Sequence, residues 1–166
     1  KNTIDEAHTM AATSVENVYF NITGNHLSSI NSSTTISIPG KTITREDIDR
    51  IIEATKPLGI PGDKEIIHVI PTRYSLDGEP NIVNPLNMVG NSLSAEVHIV
   101  TAGSSPLRNI ENCIRKANYI PKTPVLSAWA SAIATLTEDE KNLGVVLVDI
   151  GGATTDIMVF QQGSIQ

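Results

Sequence analysis

The stretch Val145-Val146-Leu147-Val148-Asp149-Ile150-Gly151-Gly152-Ala153-Thr154-Thr155-Asp156 decides how the rest of the chain is read. Its β-branched apolar run predicts a strand suited to the interior of a sheet. The strand delivers a carboxylate, Asp149, to its end. Two glycines follow, then two hydroxyls, then a second carboxylate. Glycine has no side chain to hold an anion away, so backbone N–H groups can approach phosphate oxygens. Thr154 and Thr155 add hydroxyl donors. Asp149 beside phosphates can hold Mg²⁺ directly or through water, because that ion takes oxygen ligands and keeps part of its hydration shell. There is no Gly-Lys-Ser/Thr, so the stretch is not a P-loop. Strand rather than helix follows, so it is not a dinucleotide fingerprint either. A plain hairpin whose glycines only make the turn is the competing reading, and this stretch alone leaves both open.

Outward from there, Thr155 to Phe160 predicts a second strand, and Gln162-Gly163 a turn into a third beginning at Ser164. Upstream, Thr137-Glu138-Asp139-Glu140-Lys141 reads as a solvated turn. Before it, Pro124 opens a predicted helix. Val125, Leu126, Ala128, Trp129, Ala130, Ile133, Ala134 and Leu136 cover nearly its whole circumference, so burial on most sides is expected. Ser105-Pro106 starts another helix, with Leu107, Ile110, Cys113, Ile114 and Ala117 as its inward stripe. Cys113 on that stripe is expected to be a small core residue.

The middle of the chain has its own texture. Asn25 to Pro39 is rich in Ser and Thr, with Ile30, Ile36 and Ile38 at even spacing, which suits a strand with one buried face. Thr44 caps a helix, with Asp47 three residues on and Ile48, Ile51, Ile52 and Leu58 as its stripe. Glu65 to Leu76 is extended, and Pro71 marks an edge, bulge or break. Asp77-Gly78 is a turn, Asn81 to Gly90 a loop, and Leu93 to Thr101 a strand. The order is strand, helix, strand, strand. At the start, Thr3 to Glu6 reads as a capping box, and Val18 to Ile22 as a strand stopped by Thr23-Gly24.

Composition bounds the rest. The 166 residues are 40% hydrophobic, enough for a core and too many for a disordered chain. Twelve basic against 18 acidic residues give a net charge of -6, with no basic cluster longer than Arg115-Lys116. That excludes nucleic acid as a partner. The single cysteine cannot form an internal disulfide, which suits a reducing compartment. His8, His26, His68 and His98 lack close metal-ligand spacing. His68 and His98 are expected to be partly buried and hydrogen-bonded. The chain starts at Lys1 and stops just after a strand, so it is expected to be a piece of something longer.

Asp149 to Asp156 resembles the second phosphate loop of the actin/Hsp70/sugar-kinase superfamily. Further stretches are similar, in order and with few gaps, to the FtsA family of bacterial division. They are Ile22-Thr23-Gly24-Asn25-His26, Ile43-Thr44-Arg45-Glu46-Asp47-Ile48, and His68-Val69-Ile70-Pro71 followed by Tyr74 and Asp77. Val97-His98-Ile99-Val100-Thr101 and Leu136-Thr137-Glu138-Asp139-Glu140 running into Gly144-Val145 complete the match.

The resemblance implies an α/β fold: a partial actin-like ATPase core with an inserted α+β subdomain of strand-helix-strand-strand type (SHS2, or 1C) over 24–101. Residues 1–23 and 102–143 would be parts of subdomain 1A with the connector helix. Residues 144–166 would begin subdomain 2A with the phosphate loop. Asp149, Gly151, Gly152, Ala153, Thr154, Thr155 and Asp156 would bind nucleotide, with Asp149 toward Mg²⁺, and no catalytic residue is implied. ATP and Mg²⁺ are the implied cofactors of a full-length protein, which would turn over slowly at most. This stretch alone is expected to be inactive and to bind neither tightly.

Implied partners are further copies in a filament, other division proteins through 1C, and FtsZ and the inner membrane through segments outside this stretch. The implied location is peripheral, on the inner face of the cell membrane at the division site. Two departures stand out. Ala153 replaces the family's usual third glycine, a strain of about 1 kcal/mol if that residue needs positive φ. Thr123 and Pro124 stand where actin carries a water-positioning glutamine. A sugar- or acetate-kinase type phosphotransferase and a PilM-like pilus-assembly adaptor are alternatives within the superfamily.

Overall fold

The computed structural model describes residues 2–12 and 15–166, apart from the side chain of His8. Helix α1 is Asn2–Ala11 and strand β1 is Asn17–Ile22. Strand β2 (Leu27–Thr42), helix α2 (Arg45–Ala54), and strands β3 (Lys64–Leu76), β4 (Glu79–Ile82) and β5 (Val89–Gly103) form the inserted body. Helix α3 (Ser104–Lys116), strand β6 (Ile120–Leu126), helix α4 (Ser127–Thr135) and helix α5 (Glu138–Leu143) follow. Strands β7 (Val145–Ile150), β8 (Thr155–Gln161) and β9 (Ser164–Ile165) close the chain.

Among the described residues three sheets form, ordered β1-β6, β2-β5-β3-β4 and β7-β8-β9. The first is a parallel pair. Parallel neighbours need a long crossover, and here the entire insert plus α3 is that crossover. The second sheet is antiparallel, with β5 central between β2 and β3. The third is an antiparallel meander.

Each body has a core. Ile38, Ile43, Ile51, Tyr74, Leu76, Leu93 and Ala95 cluster where α2 covers one face of the second sheet. Ile22, Ile67, Val100, Ala102 and Leu107 join β1, β3, β5 and α3. Ala128, Ala132, Met158, Phe160 and Ile165 pack α4 on the third sheet.

The Thr44 cap forms as its spacing predicts. The Asp47 N–H donates to Thr44 Oγ1 at 3.3 Å and the Thr44 N–H to Asp47 Oδ2 at 3.1 Å. Lys41 Nζ and Arg50 Nη2 reach Asp47 Oδ1 at 2.8 and 3.1 Å. The Lys41 hydrogen bond, followed by those from Thr44, holds the Asp47 carboxyl far below the usual carboxylate range. A carboxyl depressed on folding stabilises above its unfolded pKa and loses that contribution as pH falls toward its folded value. The insert is therefore expected to lose stability below about pH 4. Asp47→Asn is expected to flatten that acid limb and to lower the melting temperature at neutral pH, as read by circular dichroism.

Several expectations are corrected. Thr3 lies inside α1, which already includes Asn2, so it does not cap the helix. Glu79–Ile82 is strand rather than partly loop, and the hairpin before it turns on Asp77 and Gly78 at φ 51° and 89°. Asp77 also accepts the N–H groups of Asn91 and Ser92 at 2.8 and 2.7 Å, which ties this turn to β5. Pro71 marks a register shift in β3, as a residue without an N–H should.

Pro124 lies within β6 rather than opening a helix. In a two-stranded parallel pair a proline has an unpaired side available for its missing donor. The helix after it buries Ser127, Ala128 and Ala132 but leaves Ile133 59% exposed, so it is covered on one side rather than most. The charge run from Thr137 forms a short helix, because Thr137 and Glu140 make a capping box.

Among the described residues strand β7 has β8 as its one neighbour, so it stands at the edge of this sheet where an interior place was expected. Val145, Leu147 and Asp149 face inward, and Val146, Val148 and Ile150 are exposed. Cys113 is exposed, because α3 turns Leu107, Ile110 and Ile114 inward instead.

Candidate functional site

Strand alternation aims the site. On β7 the inward series Val145, Leu147 ends in Asp149, and on β8 the inward series Phe160, Met158 ends in Asp156. The register places Asp149 directly opposite Asp156. Residues paired across an antiparallel ladder share a face, so both carboxylates point toward α4 and the end of β1.

Two hydroxyls meet them there. Ser131 Oγ, on α4, donates to Asp149 Oδ2 at 2.7 Å. Thr23 Oγ1, just past β1, donates to Asp156 Oδ2 at 2.5 Å and lies 3.5 Å from Thr154 Oγ1. The start of α4 is pinned to the same strand end, since Ser127 Oγ donates to the Ile22 carbonyl at 3.2 Å and accepts from Asn21 Nδ2 at 3.2 Å.

The loop between the carboxylates is open. The Gly151 N–H donates to the Thr154 carbonyl at 2.8 Å and closes the turn. Gly151, Gly152, Ala153 and Thr155 are exposed, while Thr154 is half-buried. A side chain on Gly152 would meet nothing within 4 Å. The approach to the backbone is therefore free from that side. Ala153 does not adopt positive φ. Alanine in place of a third glycine therefore carries no left-handed strain.

To a cation the side chains of the site offer only oxygen: Asp149, Asp156, Thr23 and Thr154. Two like charges opposite each other repel, and a hard cation would relieve that. Among the described residues no group of three or more His, Cys, Asp or Glu is placed to hold a metal ion. The donor set fits Mg²⁺ shared with phosphate oxygens and water rather than an all-protein cage.

All seven residues expected from the sequence thus lie in this one hairpin. Thr23 and Ser131 were missed. Thr23 reads in sequence as a strand stop and as part of a family-like stretch, with no site role, and Ser131 is not singled out by any pattern.

A cleft of about 250 Å³ adjoins the site between the insert and β8, lined in part by Ser28, His98, Leu126, Asp156 and Met158. Both strand histidines are hydrogen-bonded as expected; His68 is half-buried as expected, while His98 is buried more fully than that. His68 Nε2 accepts the Leu126 N–H at 2.9 Å, linking the insert to β6. Burial holds its pKa below the usual imidazole value. His98 Nδ1 donates to Asn31 Oδ1 at 2.7 Å, and burial lowers its pKa likewise.

Residues 24–101 match the family described as the SHS2 domain inserted in FtsA. The cell division protein FtsA of Pseudomonas aeruginosa is 40% identical over 163 residues, covering 98% of this chain and 39% of that protein. FtsA of Borreliella burgdorferi is 38% identical over 165 residues, with 98% and 40% covered. FtsA of Escherichia coli is 32% identical over 163 residues, with 98% and 39% covered. The chain spans about two fifths of the length of these relatives.

Among solved structures, a PilM-PilN type IV pilus biogenesis complex superposes with a TM-score of 0.59 at 15% identity. It covers 99% of this chain and 45% of that one, a likeness of fold alone. No helix among the described residues is long and apolar enough to cross a membrane. The matched inserted domain and the alignment along nearly the whole chain make it a member, as a segment, of the FtsA family of cell division proteins.

Proposed function

We propose that this chain is the insert-bearing part of an actin-like, ATP-binding division protein that polymerises and tethers FtsZ filaments to the inner membrane. The observation that carries this reading is the paired Asp149 and Asp156, each held by a hydroxyl from another element, flanking an open Gly-Gly loop. In this reading Gly151, Gly152, Ala153, Thr154 and Thr155 contact phosphate through backbone and hydroxyl donors. Asp149 and Asp156 face the Mg²⁺ that neutralises phosphate charge.

Residues 1–23 and 102–143 then serve as parts of subdomain 1A with the connector helix, 24–101 as 1C, and 144–166 as the start of 2A. The insert carries contacts to neighbouring subunits and to other division proteins. The protein works peripherally, on the inner membrane face at the division site. The nucleotide acts as an assembly switch with slow turnover at most. Thr123, at the place of actin's water-positioning glutamine, lies in strand β6 and supplies no carboxamide. The pilus-type likeness rests on fold alone and does not displace this reading.

Co-sedimentation tests it. The full-length protein with Mg-ATP is expected to carry FtsZ into the pellet with anionic vesicles. A supernatant holding all the FtsZ under every nucleotide condition would overturn the proposal.

A further inference from the structure

Strand β2 is the outer strand of its sheet, and β5 is its one ladder neighbour among the described residues. Such an edge presents unpaired N–H and C=O groups, and natural proteins guard it with lysine, proline or a bulge. Here the guards are displaced to one end. Pro39, Lys41 and the register shift between Ser37 and Lys41 all lie past Ser37. From Leu27 to Ser37 the strand carries no charge and no proline. Ile30, on the α2 side of the sheet, is 47% exposed.

We propose that this edge pairs with the same edge of a second copy of the chain. The pairing is an antiparallel two-fold centred on Ser33. That register puts Ile30 opposite the partner's Ile36. It puts Ser32 opposite the partner's Thr34, Asn31 opposite the partner's Thr35, and Ser29 opposite the partner's Ser37. Ser33 faces the partner's Ser33.

The exposed Ile30 thereby gains an apolar neighbour, and every other pair joins small hydroxyls or an amide. Thr35 Oγ1 and Ser94 Oγ already bond across strands of this sheet at 2.8 Å, which shows the pairing such side chains favour. The chain is acidic overall, yet no like charges meet along this seam. The two sheets merge into one of eight strands with both copies of α2 on the same face. This contact is two-fold, so it is separate from the head-to-tail association in the proposed function and does not depend on nucleotide.

Sedimentation velocity of the 166-residue chain, from micromolar to submillimolar concentration, tests the proposal. A concentration-dependent dimer is expected. I30K/S33K changes two exposed positions, so it should keep the circular dichroism spectrum and melting temperature while removing the dimer. In a C113S background, S33C is expected to give a disulfide dimer on mild oxidation. S37C, whose copies lie eight residues apart in this register, is expected to stay monomeric. A monomer at all concentrations, a dimer indifferent to I30K/S33K, or equal cross-linking by S37C would each overturn it.

Discussion

Ile51→Ala is expected to destabilise the insert by about 2–5 kcal/mol, the range for emptying a fully enclosed aliphatic site. Ile51 has no exposed surface and packs in one cluster with Ile38, Ile43, Tyr74, Leu76, Leu93 and Ala95. The half-buried Ile36, Ile48, Ile52 and Ile82 pack against that cluster. The denaturation midpoint of the chain, followed by far-UV circular dichroism, measures the loss. Ile133→Ala, on the 59% exposed side of α4, is the matched control and is expected to change stability little. Equal effects at the two positions would contradict the assignment of the core.

The second large effect concerns the hairpin. In the full-length protein, Asp149→Ala is expected to weaken Mg-ATP binding by about a hundredfold or more. Ser131→Ala is expected to cost about 10–100-fold, as partners that orient a cation's ligand do. Ser131 donates to Asp149 Oδ2 at 2.7 Å, so its loss frees the carboxylate to swing away. Titration calorimetry with and without excess EDTA separates the causes. A defect through the cation vanishes once Mg²⁺ is removed, whereas a folding defect persists. Equal affinity of Asp149→Ala and the parent for Mg-ATP would remove Asp149 from the site.

How much of this could be read in sequence depended on the range of the interactions. The Thr44 cap was legible because donor and acceptor lie three residues apart. The Asp77-Gly78 turn was legible because the two residues fix its backbone. Strand β6 was not, because Pro124 reads as the first residue of a helix until β1 is known to lie beside it from 104 residues upstream, Phe20 facing Pro124. The inward carboxylate pair followed from alternation along β7 and β8. Thr23, which meets Asp156 across 133 residues, could not follow from any local pattern. The side of β7 that is exposed in this chain was not legible for a related reason. Apolar alternation in both phases cannot show which face is covered.

Strand β5 is the longest uninterrupted partner in the insert. Its 15 residues from Val89 to Gly103 run roughly 50 Å without a break and pass into α3 with no linker. One end is clamped in the cluster under α2, and the other in the cluster with β1 and α3. The insert is therefore a lever arm rather than a bead on a string. A sideways push at its α2 end has no soft joint in β5 at which to dissipate. It arrives as torque on Ala102, on the His68–Leu126 bond, and on the strand end where Thr23 holds Asp156.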